Sequence, residues 1–294
     1  MRILANAKIN WALDILSRRP DGYHEMDMLM QPISLSDEIS LFPAPDISLT
    51  VSGTPRIPAD AHHLALRAAR LLQELSGTQC GAALHVHKCI PSGAGLGGGS
   101  ADAAGVLLGL NRLWNLNLPA PRLEEIGLQL GADVPFCLRG GFCRVGGIGE
   151  VLTPLGHAPE YLLLVIQPCG GLSTGTVFSA YHAASGISHP DMKDLISRIQ
   201  SGKPGSLPVH PGNVLEQASL PMAPEISDAV DFLISCGAVC AQMSGSGSAV
   251  FGVFDGPDAR QRAHEAALQR WQGVWMCETC EKPVHFVSES GVPD

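Results

Sequence analysis

The segment PSGAGLGGGS, residues 91–100, sets Gly93, Gly95, Gly97, Gly98 and Gly99 in a short run that ends on Ser100 and opens into the apolar stretch SADAAGVLLGL. Glycines without Cβ atoms let several backbone N–H groups crowd one anion, and a helix that starts at Ser100 turns its positive end to the same place. Phosphate is the ligand that suits such a cradle. A tight turn with no ligand is the plainer alternative for a run of this kind. The spacing GxGxxG at Gly93, Gly95 and Gly98 also fits a dinucleotide loop. That loop normally joins a first strand to a first helix and has an acidic residue at the end of the next strand, whereas this one follows about ninety residues of other sequence and no such strand comes after it. A Walker A loop is excluded because no Gly-Lys-Ser/Thr is present, and the VAIK, HRD and DFG elements of protein kinases are missing.

Other residues carry chemistry less specifically. MSGSGSAVF, residues 243–251, and GGFCRVGGIGE, residues 140–150, are small-residue clusters that read first as hairpins or close backbone approaches. Asp133, two residues before Pro135, fits an N-cap or turn, and Lys8 in an alternating stretch reads by spacing as a solvated residue on an outer sheet face. His85 and His87 share a strand face without a third ligand, so a structural role is expected for them. Nine cysteines, an odd number scattered along the chain, read as free thiols. The Cys277–Cys280 spacing alone makes a weak zinc or redox signal, and no all-protein metal site is expected.

These residues need elements to hold them. Residues 3–15 read as a strand, SRRPDGYHEM as a polar turn, and MLMQPISLSDEISLF as two strands around a Ser36-Asp37 turn. ISLTVSG alternates as a strand, and residues 64–75 have helical spacing, closed by Gly77. Residues 83–90 form a strand that leads through Pro91 into the glycine run, so strand, loop and helix follow one another. PRLEEIGLQLG is a further helix. YLLLVIQP begins a second region, with helices at APEISDAVDFLISCG and ARQRAHEAALQRW and a strand-turn-strand across AVCAQMSGSGSAVFGVF. A length of 294 residues predicts two domains, 1–152 and 153–294.

With 45% hydrophobic and 16% charged residues the chain is globular rather than disordered. A net charge of -9 argues against nucleic-acid binding. No run approaches the roughly 18 apolar residues of a membrane helix, and Asn6, Lys8, Asn10 and Asp14 break any signal-like segment. The expectation is a cytoplasmic protein with no nucleic-acid, membrane or obligate protein partner.

The chain resembles the GHMP kinase family, which includes galactokinase, homoserine kinase and mevalonate kinase. AKIN (residues 7–10), RRPDGYHEM (18–26), KCIPSGAGLGGGSADAA, GADVPFCLRGG and MSGSGSAVF carry the resemblance, which runs from Ala7 to about Phe254. It implies an α+β, two-domain fold with the active cleft between the domains. It also implies a kinase that moves the ATP γ-phosphate, with Mg2+ bridging the phosphates, to a cytidine diphosphate-linked methylerythritol. Asp133 is then the catalytic base, with Lys8 beside it to neutralise developing charge and Asn10 as a neighbouring substrate contact. Tyr23, His24 and Phe178 are assigned to the cytidine, the rings stacking on the base and His24 supplying hydrogen bonds. ATP is given to Pro91, Ser92, Gly93, Ala94, Gly95, Leu96, Gly97, Gly98, Gly99, Ser100 and Ala101, with Lys88 and His63 on the adenine side. His63 stands where the family usually has Asn. Asp102 replaces an Asn found in some members; because a carboxylate facing the loop would repel phosphate, it is expected to face away. Two alternatives stay open: a GHMP kinase acting on another alcohol, and a nucleotide-binding protein without catalysis.

Overall fold

Two antiparallel-rich sheets, each covered by helices, come together along the first strand. The computed structural model describes residues 1–54, 58–181 and 188–287. The first region supplies β1 (Arg2–Arg18), β2 (His24–Ala44), β3 (Ser48–Gly53), α1 (Leu64–Ser76), β4 (Gly81–Lys88), α2 (Gly98–Leu113), α3 (Ala120–Leu128), α4 (Val134–Arg139), β5 (Cys143–Gly147) and β6 (Val151–Pro154). The second supplies β7 (Leu162–Gln167), α5 (Thr174–Ala180), α6 (Met192–Gln200), α7 (Glu216–Met222), α8 (Glu225–Ser235), β8 (Cys240–Met243), β9 (Val250–Phe254), α9 (Pro257–Ala267), β10 (Gly273–Glu278) and β11 (Val284–Val287).

The larger sheet runs β11-β1-β2-β4-β3, with β5 and β6 continuing from the other end of β2. The smaller runs β10-β7-β9-β8. Among the named strands of the described residues, only β3 and β4 pair in parallel, and α1 makes their crossover. α1 ends as its sequence predicts, with Gly77 in the left-handed region at φ 69° and its N–H returned to the carbonyls of Gln73 and Glu74. β11 returns from the far end of the chain to pair with β1, Arg2 opposite Val287.

β1 is buried on both faces through its middle, which overrides the half-exposed reading of its alternating pattern. One face packs under α2, and the other meets the second sheet. Trp11 is the hinge pin of that contact: fully buried, it sits edge-on to Tyr161 at 5.3 Å and to Phe251 at 5.7 Å, while its Nε1–H donates to Gln31 Oε1 at 2.9 Å. The aromatic geometry adds to the burial of a large ring, and the indole donor is satisfied.

The expected turn at Ser36-Asp37 does not form. β2 runs straight through it, Ser36 opposite Asn6 and Asp37 opposite Ala5. Turn propensity loses here to tertiary partners, because the Asp37 carboxylate is wholly buried and bonded to the amides of Cys89 and Ile90.

Candidate active site

A cleft of about 920 Å³ opens between the glycine loop, the start of β2, α5 and the turn between β8 and β9. β4 delivers the loop, and α2 begins immediately after it. Gly97 is the N-cap of α2, at φ 71° and without a side chain, so no cap oxygen competes for the first amides of the helix. Those amides are the donors that an anion would use.

The loop is glycine-rich for steric reasons that the surroundings make plain. A Cβ on Gly95 would lie 2.0 Å from the carbonyl oxygen of Ser244, because the MSGSGS turn presses directly on the loop. The Ser244 hydroxyl donates to Gly95 O at 3.0 Å, and Ala249 N–H donates to Ala94 O at 3.1 Å. A Cβ on Gly97 would meet the Lys8 side chain at 3.0 Å. The cluster at residues 243–248 is therefore a close approach of two backbones, and it lines the cleft through Gly245 and Ser246.

Lys8 and Asn10 project from β1 on the same side. Lys8 is buried, its Nζ donating to Asn10 Oδ1 at 2.7 Å and to Gly95 O at 3.0 Å and lying 3.4 Å from Asp133 Oδ2. The solvated position suggested by spacing alone is thus replaced by a buried cation under the loop. Asp133 occupies the N-cap position of α4 yet makes no cap bond, which leaves its carboxylate, about one-third exposed, directed into the cleft. Asn10 is held in turn: its N–H donates to Ser244 Oγ at 3.2 Å and its Nδ2 to Met28 Sδ at 3.4 Å.

At the other end of the cleft His24, the first residue of β2, faces two aromatic rings. Its ring lies 5.4 Å from that of Phe178, tilted by 32°, and 6.3 Å edge-on from Tyr181. Phe178 belongs to a helix, α5, and is half-buried against this end. Tyr23 is 60% exposed on the rim. Burial, with Arg18 nearby, pushes the His24 imidazole below its ordinary value, so at neutral pH it offers one donor and one acceptor. Tyr181, Arg18 and Thr174 also line this end and were not singled out from sequence. Arg18 shares the motif RRPDGYHEM with Tyr23, whereas Thr174 and Tyr181 lie outside the motifs.

On the nucleotide side His63 caps α1, its Nδ1 accepting from Ala65 N–H at 3.2 Å. That bond puts the proton of the neutral ring on Nε2. Burial first, then the Lys88 charge, lowers its pKa. Lys88 lines the cleft, but its ammonium is already engaged by Asp37 and, at 2.6 Å, by Asp102. Asp102 therefore does not face away: it turns inward beside Lys88 and joins the lining. Of the loop residues, Leu96 and Ala101 do not line the cleft, and their side chains are buried in the core. His85 and His87 both meet Ser52 Oγ, at 2.8 and 3.0 Å, away from the cleft. Burial holds the thiols of Cys137, Cys240 and Cys277 far above the ordinary range, and all nine cysteines are free.

A glycine cradle at a helix start, with a lysine-carboxylate pair packed beside it in one cleft, is the equipment of phosphoryl transfer to an alcohol. Residues 63–141 match the N-terminal domain of GHMP kinases and residues 185–273 their C-terminal domain. The chain belongs to the GHMP kinase family and is a small-molecule kinase, a class that draws its phosphate from ATP. Within that family it is similar to the 4-diphosphocytidyl-2-C-methyl-D-erythritol kinases: 38% identical to that of Clostridium botulinum over 95% of this chain and all of the relative. It is 40% identical to the enzyme of Bacillus subtilis over 90% of this chain and 92% of the relative. The crystal structure of a 4-(cytidine 5'-diphospho)-2C-methyl-D-erythritol kinase superposes with a TM-score of 0.81 at 36% identity, covering 95% of this chain and 99% of the other. A homoserine kinase from Cytophaga hutchinsonii shares the fold, with a TM-score of 0.73 at 18% identity, over 97% of this chain and 96% of its own. Among the described residues no helix is long and apolar enough to cross a membrane.

Proposed function

We propose that this chain transfers the γ-phosphate of ATP to the 2-hydroxyl of 4-diphosphocytidyl-2-C-methyl-D-erythritol, giving the 2-phosphate, a step of non-mevalonate (MEP) isoprenoid precursor synthesis in the cytoplasm. The supporting observation is the line of groups along one cleft: aromatic end, Asn10–Lys8–Asp133 centre, glycine loop. In this reading residues 1–152 form the ATP-binding domain and 153–294 the second domain.

The substrate's cytosine lies between Tyr23 and Phe178, with the neutral His24 ring reading its polar edge. This places the hydroxyl near Asp133, which orients it and accepts its proton as it attacks. Lys8, fixed by Asn10 and Gly95 O, neutralises charge on the transferred group without having to reorganise. The amides at the start of α2 hold the triphosphate, with Ser100 at the end of the cradle.

The oxygens present suit magnesium, which prefers phosphate and water oxygens with one or two protein ligands. Ser100, whose side chain lines the cleft at the end of the glycine loop, would help to hold it. The ion would neutralise phosphate charge in the cleft.

A coupled assay of ADP release with the cytidine-linked alcohol, mevalonate, homoserine and galactose tests the assignment. Turnover is expected with the first. Turnover with another acceptor and none with the first would refute it.

A further inference from the structure

Asp37 stands in the middle of β2 with no exposure at all, a place where a carboxylate persists only if partners hold it. Its Oδ1 accepts from the amides of Cys89 at 2.6 Å and Ile90 at 2.8 Å, the last two residues before Pro91, and its Oδ2 pairs with Lys88 Nζ. Lys88 pairs in turn with Asp102 Oδ2 at 2.6 Å, within α2 and beyond the far end of the loop. One carboxylate thus grips the entry of the glycine loop directly and its exit through one ammonium.

We propose that Asp37 is a positioning residue for phosphoryl transfer: together with Asp102 it fixes both ends of the glycine loop on Lys88 and so sets the loop amides against the triphosphate. The inference rests on the reading of that loop as the triphosphate site.

The composition of the cluster favours geometry over stability as its purpose. Apolar residues of similar volume commonly stabilise a core as well as a buried ion network does, whereas the network fixes one arrangement. Two carboxylates share a single ammonium here, and Asp102 Oδ1 is buried with no hydrogen-bond partner among the described residues, a costly element if packing were the only need. Placement agrees. Lys88 Nζ lies 3.6 Å from the position of a Cβ on Gly98, the first residue of α2, and both Lys88 and Asp102 line the cleft.

The surplus charge is also managed. Burial raises Asp102 to about 8, with Lys88 pulling the other way and Asp37 adding to the rise. The remaining polar neighbours add no anion at neutral pH: His63 is neutral, and burial raises the Cys89 thiol. Burial thus favours the protonated form of Asp102, which lessens the negative charge where phosphate must bind.

The test is ATP titration calorimetry without acceptor, alongside acceptor kinetics, on the unmutated protein and on Asp37→Asn. This variant keeps the oxygen that accepts from Cys89 and Ile90 but loses the charge that holds Lys88. The expected result is ATP affinity weaker by about tenfold or more, with the KM for the acceptor alcohol held within about twofold. Unchanged ATP affinity overturns the proposal, and so does equal weakening for ATP and acceptor with a lowered thermal midpoint, the mark of a merely structural role. Should Asp37→Asn fail to fold, Asp102→Ala, which cuts the exit tether, enters the same titration with the same expected and overturning results. Failure of the unmutated protein to bind ATP would instead overturn the phosphate reading of the loop, and it is read without any variant.

Discussion

Lys8 Nζ and Asp133 Oδ2 lie 3.4 Å apart although the residues arrive from different elements, one from the centre of β1 and the other from the first position ahead of α4. Asn10 Oδ1 and Gly95 O accept two of the hydrogen bonds that the ammonium donates, so it is locked before any substrate arrives. The pair is preorganised, and the proposed chemistry makes several outcomes measurable.

Replacing Asp133 with Asn keeps the shape of the site and removes the proton acceptor. We expect kcat to fall by about 10²-fold or more with the KM for ATP nearly unchanged, measured by steady-state kinetics. Near-normal turnover would exclude Asp133 as the base.

Lys8→Met keeps much of the stem that packs against Gly97 and removes the charge. A drop of about 10²-fold in kcat is expected from loss of a preorganised cation. If KM alone rises, Lys8 serves binding rather than the transfer itself.

Phe178→Ala removes a ring that stands 5.4 Å from His24. Loss of one stacking wall, worth about 1–3 kcal/mol, should raise the acceptor KM by about 5- to 150-fold and leave the ATP titration untouched. A parallel change in both would assign Phe178 to the fold instead.

Asp102 gives a pH signature. Its pKa in the folded chain is raised from 3.8 to about 8, so between those values the unfolded chain releases a proton that the folded chain keeps. Stability from this group is then full below about pH 4 and is lost as pH rises toward 8, because fewer protons are bound in the unfolded state. Asp102→Asn should show a smaller decline of the thermal midpoint across that window than the unmutated protein. Parallel declines would mean that the carboxyl is already ionised.

Trp11→Ala empties the contact between the two sheets. A cost of about 3–5 kcal/mol in urea unfolding is expected, since Trp11 is fully buried between Tyr161 and Phe251. A change under 1 kcal/mol, against the ~3 kcal/mol lower bound, would show that the sheets adhere through other contacts.

Local signals carried much of this structure. The spacing of Leu64–Ser76 and the stop at Gly77 appear as read, and so does the order of strand, glycine loop and helix. Motif resemblance brought Lys8, Asn10, Asp133, His24 and Phe178 into one cleft, which spacing alone did not do. Lys8 looked solvated because alternation reports one exposed sheet face, and β1 has none. Asp37 looked like a turn residue because its short polar side chain favours turns in isolation. Its real partners, the amides of Cys89 and Ile90, lie more than fifty positions away and leave no local mark. Tyr181 and Thr174 escaped notice for the same reason: their roles arise only when α5 is laid beside β2.

The pairing of β11 with β1 has a bearing on how the chain reaches this state. On the strand that carries Lys8 and Asn10, the outer edge of residues 2–5 pairs with residues 284–287, and farther along the same edge bonds to Leu96 O and Gly212 O. During synthesis the first residues of that edge lack this partner until residues 284–287 have been made. Contacts so distant in sequence are slow to form and leave a strand open to wrong partners in the interval. The opening residues of the lysine-bearing strand are therefore completed late, and removal of β11 is expected to be felt first as aggregation of newly made chains.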